Sequence, residues 1–185
     1  MFKKIVFILL LLIGLLLVVA WTRPDTYTVE RSGHAPAPPA QVFAMVGDFR
    51  NWPRWSPWEQ LDPDMQRVFS VPQGNVGASY DWIGDDQAGK GRMRILDAEP
   101  DRRLSVSLDF IEPMASSNRM DFAFLPEAGG TQVTWRMEGQ HSFPTKVMSV
   151  FTSFDRLIGR DFEQGLQNLA REAHAPLNAE TRAVE

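Results

Sequence analysis

The spacing of hydrophobic residues divides the chain into three parts. Residues 5–21 are continuously apolar, residues 65–137 alternate between apolar and polar positions, and apolar residues recur every three or four positions beyond residue 144. Continuous apolar runs are typical of membrane helices, alternation is typical of half-buried strands, and the wider spacing is typical of amphipathic helices. The pattern therefore predicts an apolar N-terminal helix, a sheet and a long C-terminal helix, in that order.

The apolar run from Ile5 to Trp21 contains no charged side chain. As a helix it would be about 25 Å long, which is enough to cross the hydrocarbon core of a bilayer. Lys3 and Lys4 precede the run, and Arg23 follows it. Because positive charge accumulates on the cytoplasmic side, we predict a single-pass membrane protein with a cytoplasmic N-terminus and an exported domain.

A cleaved signal peptide is the alternative interpretation of this run. Val18 and Ala20 are small enough to precede a cleavage site before Trp21, in which case the domain would be secreted. The apolar core exceeds the about 7–15 residues that are usual in signal peptides, which favours retention in the membrane. Both interpretations place the domain outside the cytoplasm.

Seven segments have the alternation of β-strands, and Thr26–Ser32 is the first of them. In the clearest case Leu104, Val106 and Leu108 share one parity, while polar residues occupy the positions between them. Such alternation predicts an antiparallel sheet with one buried face, and the turn residues between segments indicate hairpins. The six further segments are Gln66–Val71, Ala78–Ile83, Gly91–Ala98, Arg103–Phe110, Ser117–Leu125 and Thr131–Glu138.

Two short helices are predicted after the first strand. Pro39 suits the first turn of a helix, Gly47 ends that helix, and Asp48 can cap the short turn that follows. A long helix is predicted from about Pro144 to Ala173, because its apolar residues form one continuous stripe. The members of that stripe are Val147, Phe151, Phe154, Ile158, Phe162, Leu166 and Leu169.

Together these elements predict an α+β fold in which a seven-stranded antiparallel sheet curls around the long helix. A sheet with one apolar face needs a cover, and the C-terminal helix is the only predicted element of sufficient length. The curvature leaves space between sheet and helix, which makes that space the candidate site. The predicted organisation is a cytoplasmic stub (1–4), a transmembrane helix (5–21), a linker (22–25), the domain (26–173) and a flexible tail (174–185).

Two segments carry a resemblance to a known family. They are Gln41–Pro63 (QVFAMVGDFRNWPRWSPWEQLDP) and Asp161–Ala170 (DFEQGLQNLA). Together with the order of elements, they resemble the SRPBCC superfamily, which has a START-like, helix-grip fold and includes polyketide cyclases, dehydrases and lipid carriers. The resemblance implies a deep apolar cavity between sheet and helix. It does not imply one chemistry, because the members of the superfamily have different functions.

The candidate site residues are large apolar side chains on the predicted inward faces. Trp52, Trp55 and Trp58 recur every three residues, either as the rim of a cavity or as a plug between the short helices and the sheet. The inward strand and helix residues either fill a core or line a cavity, and the resemblance implies lining. We predict that the lining includes Trp55, Trp58, Trp82, Met93, Phe110, Met120, Trp135, Phe151 and Phe154.

Composition and charge exclude several classes of function. The chain has no cysteine, which excludes disulfides, thiolate metal sites and cysteine nucleophiles. The residues after position 21 include 17 basic and 23 acidic side chains, a net charge of −6, so there is no basic surface for nucleic acid. His34, His141 and His174 lack the spacing of metal ligands, and we predict neither a metal nor a cofactor.

No catalytic motif is visible in the sequence. The segment Gly84–Gly91 resembles a phosphate-binding loop, but a glycine stands where Ser or Thr should bind magnesium, and strands flank it on both sides. We therefore predict a hairpin turn there. The charged residues of the neighbouring strands fall on or near the predicted solvent face, and they are Asp109, Glu112, Arg92 and Arg94.

The predicted function is a membrane-tethered module that binds a hydrophobic small molecule or lipid in the cavity. A cyclase or dehydrase that uses the same cavity is the first alternative, and it would require an ionisable side chain in an apolar environment. A structural or interaction protein of the cell envelope, with a closed core, is the second. Lipid that copurifies with the domain would favour the binding module over the structural or interaction protein.

Overall fold

A computed structural model describes residues 2–174 and contains one seven-stranded antiparallel sheet. In chain order its strands are β1 (Thr26–Ala35), β2 (Gln66–Phe69), β3 (Ser79–Ile83), β4 (Lys90–Glu99), β5 (Arg103–Glu112), β6 (Ser116–Glu127) and β7 (Gly130–Gln140). The strands from β2 to β7 each pair with the next one along the chain, and β1 pairs with β7 at the opposite edge from β2. The predicted meander is confirmed.

The helices cover the inner face of the sheet or extend from one end of it. They are α1 (Phe2–Trp21), α2 (Pro39–Gly47), α3 (Trp52–Trp55), α4 (Phe143–Ser149) and α5 (Phe154–His174), with 3₁₀ turns at Phe49–Asn51 and Pro57–Gln60. α1 is long and apolar enough to cross a membrane, and Ala20 is its buried residue. The predicted tail 174–185 begins with a residue that still belongs to α5, and positions 175–185 lie outside the described residues.

The alternation in the sequence produces the two faces of the sheet. On β7, Val133, Trp135 and Met137 are buried, while Gln132, Arg136 and Glu138 at positions of the opposite parity are exposed. Successive side chains of a strand point to opposite faces, so the inner face collects the apolar positions of every strand. This face and α5 enclose the core of the domain.

The short helices form as the sequence indicates. α2 begins at Pro39 and ends at Gly47, and the Asp48 side chain accepts a hydrogen bond of 3.0 Å from the Arg50 backbone amide. The indole Nε1 of Trp52 donates to the carbonyl of Val46 at 2.9 Å, which ties the second short helical segment to the first. This segment closes one end of the space between sheet and α5.

The long C-terminal helix differs from the prediction, because residues 150–153 interrupt it and divide it into α4 and α5. Val150, Thr152 and Ser153 have low helix propensity, and the Ser153 hydroxyl accepts a hydrogen bond from the Arg156 amide as a cap of α5. Phe151 falls in the break and is 73% exposed. Phe154 consequently begins α5 and does not lie in the middle of a longer helix.

The α5 helix is the structural cover that the sequence predicts, and Leu169 is fully buried on its inner face. We expect Leu169→Ala to lower the free energy of unfolding by about 2–5 kcal/mol, because the truncation removes buried contacts and leaves a void. Gln167→Ala, on the exposed face of the same helix, should change it by less than about 0.5 kcal/mol. Urea unfolding of the full chain in detergent measures both, and equal midpoints would contradict the assignment of the buried face.

Candidate functional site

A cavity of about 300 Å³ lies between the inner face of the sheet and α5. Apolar and aromatic side chains from β1, from β3 to β7, from α5 and from residues 52–65 surround it. Few polar groups reach it, which is the usual character of a site for small molecules. Its lining consists of Tyr27, Trp52, Ser56, Trp58, Glu59, Leu61, Met65, Tyr80, Trp82, Gln87, Ala88, Met93, Leu108, Phe110, Ser116, Met120, Trp135, Met137, Phe154, Ile158 and Phe162.

Trp135 forms the inner end of the cavity. Its ring stacks on Phe162 of α5 with centroids 4.1 Å apart and on Phe122 of β6 with centroids 5.1 Å apart. Gly165 allows this close approach of helix and sheet, because a Cβ at that position would lie 2.9 Å from Trp135 Cζ3. The buried indole Nε1 of Trp135 has no hydrogen-bond partner among the described residues. The ring is therefore held by packing.

Trp82 forms one side wall. Its ring lies over Gly91 of β4, where a Cβ would approach the indole carbons to 2.4 Å, so any larger residue would displace the ring. Trp82 Nε1 donates to the Ala88 carbonyl at 3.1 Å, and the ring contacts Phe110 edge-on at a centroid distance of 5.8 Å. The loop that resembles a phosphate-binding motif thus acts as the β3–β4 hairpin turn, as predicted.

The mouth of the cavity lies at one end of the sheet. The exposed lining residues Leu61, Gln87 and Phe110 mark it. On the opposite side Phe154, the first residue of α5, stacks on Tyr27 with centroids 4.2 Å apart.

A hydrogen-bonded polar cluster interrupts the apolar lining. The Tyr80 hydroxyl donates to Glu59 Oε1 at 2.7 Å, and Arg67 Nε donates to Glu59 Oε2 at 2.7 Å. Glu59 and Tyr80 line the cavity, and the Glu59 side chain is 5% exposed. Burial, together with the adjacent Glu59 carboxylate, raises the pKa of the Tyr80 hydroxyl well above its usual range. Tyr80 is consequently a neutral hydroxyl at physiological pH.

The structure places seven of the nine predicted site residues around the cavity. Trp55 is not among them, because it is fully buried against Trp52 and Trp135, with centroid distances of 4.7 and 5.5 Å. Phe151 is also outside, because the break between α4 and α5 turns it to the surface. The seven are Trp58, Trp82, Met93, Phe110, Met120, Trp135 and Phe154.

The polar cluster is not predicted from the sequence. Tyr80 shares the parity of Trp82 on β3, so the alternation alone could have identified it as inward-facing. Glu59 lies in the irregular segment after Trp58, where no periodicity defines a direction. Arg67 is on β2, a strand of four residues whose pattern is too short to be informative.

The ion pair between Glu59 and Arg67 is partly shielded from water, with side-chain exposures of 5% and 22%. We expect Arg67→Ala to destabilise the fold by about 3–5 kcal/mol, because it leaves a buried carboxylate without its cation. Adding Glu59→Gln should recover part of that loss, since the uncompensated charge is then removed. Arg92→Ala breaks an exposed ion pair with Asp81 and should cost about 0–1 kcal/mol. Chemical unfolding of the unaltered chain and the three variants tests this, and a double variant no more stable than Arg67→Ala would contradict it.

Known solved structures share this architecture. The chain superimposes on a protein from Chromobacterium violaceum with a TM-score of 0.58 and 16% identity, covering 83% of this chain and all of that one. A protein from Thermobifida fusca gives a TM-score of 0.59 and 23% identity, covering 79% and 92%. DynU16, a protein of the dynemicin biosynthetic locus, gives 0.53 and 19%, covering 80% and 47%. At these identities the likeness concerns the fold.

Sequence comparison identifies the family. No curated protein matches the chain closely enough to count as a relative. The family model described as polyketide cyclase / dehydrase and lipid transport matches residues 26–174, which include the whole sheet and α5. This match and the helix-grip architecture support a ligand-binding or cyclase-like module. The chain belongs to the polyketide cyclase/dehydrase and lipid transport family.

Proposed function

We propose that the chain is a membrane-tethered module that binds an apolar small molecule or a lipid chain in the cavity. The observation that carries this proposal is the apolar cavity of about 300 Å³ between sheet and α5. Protein interiors are otherwise close-packed, and ligand pockets have volumes of about 300–1,000 Å³. The volume is at the lower end of that range, so the ligand is a small molecule or a single acyl chain.

The polar cluster formed by Glu59, Arg67 and Tyr80 indicates which polar group the ligand would carry. Tyr80 uses its proton in the hydrogen bond to Glu59, and Arg67 pairs with the second carboxylate oxygen. What remains available at the cavity wall is hydrogen-bond accepting capacity on the Tyr80 and Glu59 oxygens. We therefore expect a ligand whose apolar body carries one donor, such as a hydroxyl or an amine.

The tether in this proposal is α1. It is a single N-terminal apolar helix, which suits either a single-pass anchor or a signal sequence. The length of its apolar run favours an anchor that remains in the chain. Lys3 and Lys4, in the first turn of α1 before its apolar run, favour a cytoplasmic N-terminus with the domain on the exported side.

A cyclase-type enzyme is the second candidate, and the buried Glu59 carboxylate beside the Tyr80 phenol is the observation that favours it. Proton transfer at an apolar site requires a group free to exchange its proton. Here Arg67 pairs with the carboxylate, and the raised pKa of Tyr80 keeps its proton in place. Both features favour recognition of a polar group over catalysis.

Filling the cavity with a larger side chain should weaken the binding of an apolar ligand. Leu108 lines the cavity and Ser107 precedes it on β5, so the two side chains point to opposite faces of the same strand. We expect Leu108→Trp to reduce 1-octanol binding by at least tenfold, while Ser107→Trp leaves it unchanged. Methionine-methyl NMR of the full chain in nanodiscs reads this out, because Met93, Met120 and Met137 line the cavity.

In the unaltered chain these three methyl resonances should shift and saturate with added 1-octanol. Resonances of the surface residues Met114 and Met148 serve as internal controls for partition into the bilayer. A solid core would give no saturable shift at the three inner methionines. That result would reject the binding module in favour of a structural or interaction protein with a closed core.

Retention of α1 has its own test. We expect the full chain to stay in the membrane fraction after alkaline carbonate extraction, because a helix that spans the bilayer cannot be released by charge or pH. Protease added to spheroplasts should digest the domain, since it lies on the exported side. Recovery of the domain in the soluble fraction, with a new N-terminus near Trp21, would indicate a cleaved signal peptide.

A further inference from the structure

We propose that the mouth of the cavity faces the bilayer that α1 spans, and that exposed apolar residues beside the mouth insert into its surface. Ligand then enters from the lipid phase. This inference rests on the proposed function, since it requires α1 to remain as an anchor. It adds the direction of access, the docking surface and the partner, which is the bilayer itself.

The sheet topology places the mouth and the end of α1 together. β1 begins five residues after α1, and Thr26 at its start pairs with Gln140 at the end of β7. Because neighbouring strands are antiparallel, the same end of the sheet contains the turns after β3 and after β5. Those two turns border Gln87 and Phe110 at the mouth. The cavity therefore opens at the end from which α1 leaves the domain.

The junction between α1 and the domain is short and held by contacts. α1 packs against α4, and the Lys146 ammonium forms an ion pair with Asp25. The His141 amide also donates to the Asp25 carbonyl at 2.7 Å. Residues 22–25 can span at most about 14 Å when extended. The end of the domain with the mouth thus cannot move far from the membrane surface.

Large apolar side chains are exposed at this same end, at the end of β5, in the β5–β6 turn, in α4, in the break after α4 and at the start of α5. We call this group the apolar rim. Single exposed apolar side chains occur elsewhere on the domain, but a group of them beside the mouth suits a surface that lies at a lipid interface. The members are Ile111 (45% exposed), Met114 (65%), Phe143 (46%), Met148 (39%), Phe151 (73%) and Leu157 (45%).

Charge decides which kind of surface the apolar rim contacts. Acidic side chains border the mouth at Asp62, Asp85, Asp86 and Glu112, and the chain beyond residue 21 has a net charge of −6. These carboxylates offset Lys90 and Lys146 at the same end of the sheet, so the domain has no net attraction to anionic headgroups and docking depends on apolar insertion. Docking should accordingly occur on zwitterionic lipid and persist at high salt.

The absence of cysteine from the chain makes a direct test possible. Single substitutions Met114→Cys and Phe151→Cys introduce a fluorophore site on the apolar rim. Leu125→Cys and Val71→Cys are matched controls, because both residues are exposed, at 55% and 94%, near the opposite end of the sheet. Each labelled full chain is reconstituted into phosphatidylcholine vesicles, with and without nitroxide on the lipid chains.

We expect lipid-borne nitroxide to quench the labels at positions 114 and 151 at least threefold more than those at 125 and 71, at both low and high salt. Equal quenching at all four positions would overturn the docking surface. Quenching of the rim labels that falls as the protein-to-lipid ratio is raised would also overturn it, because it would indicate that a second copy of the chain covers the apolar rim.

Failure of the docking surface can be distinguished from failure of the proposed function. Saturable 1-octanol shifts with unquenched rim labels would leave the binding cavity in place and reject the docking surface. Quenched rim labels without 1-octanol shifts would support the docking surface and reject the ligand. Introducing a charge into the apolar rim with Phe151→Asp should lower quenching of the label at position 114, while Leu125→Asp, near the opposite end of the sheet, should leave it unchanged.

Discussion

The close packing of α5 against β1 is the constraint on which the rest of the structure depends. Arg31, Gly33 and Val29 share the face of β1 that α5 covers. Gly159 provides the room for the Arg31 guanidinium, since a Cβ there would lie 2.1 Å from Arg31 Nη2. Arg31 in turn pairs with Asp155 at 2.6 Å and Glu163 at 2.7 Å, on either side of that glycine. The helix is thereby fixed at one edge of a curved sheet.

This one-sided attachment explains why a cavity exists. α5 contacts β1, α2, α3 and the turn at Pro57–Gln60, while the inner faces of β3, β4 and β5 curve away from it. Aromatic side chains span part of the gap, with Trp135 stacked between Phe162 and Phe122. They do not fill it. The lining also includes Met93, Met120 and Met137, whose flexible side chains can adapt to differently shaped ligands. The cavity therefore results from the attachment of α5 at only one edge of the sheet.

Much of this could be predicted from the sequence. Period-two alternation gave the seven strands and their inward residues, because side-chain direction in a strand depends only on parity. The break at residues 150–153 escaped prediction, since the apolar stripe continues through it with helical spacing, and the local preferences of Val150, Thr152 and Ser153 decide against it. The apolar stripe therefore predicts that Phe151 lines the cavity, whereas in the structure Phe151 lies on the surface.

The polar cluster was harder to predict for a different reason. Glu59, Arg67 and Tyr80 come from a 3₁₀ turn and two strands, so only the tertiary fold brings them together. A charged residue beside three tryptophans has no periodicity that assigns it a direction. Trp55 illustrates the same limit, because its spacing with Trp52 and Trp58 fits a rim and a plug equally well. Only burial distinguishes the two, and Trp55 is fully buried.

Under the proposed function, the α1 tether and the size of the cavity together limit how the chain would handle its ligand. A carrier that moves lipid between membranes must leave the surface, and a linker of residues 22–25 does not permit that. A cavity of about 300 Å³ accepts one acyl chain or a small molecule and not a whole two-chain lipid. A tethered domain instead samples its own bilayer at high effective concentration, so modest affinity suffices for occupancy. Within the family, these constraints favour local capture or presentation of a membrane-dissolved ligand over transport across the envelope.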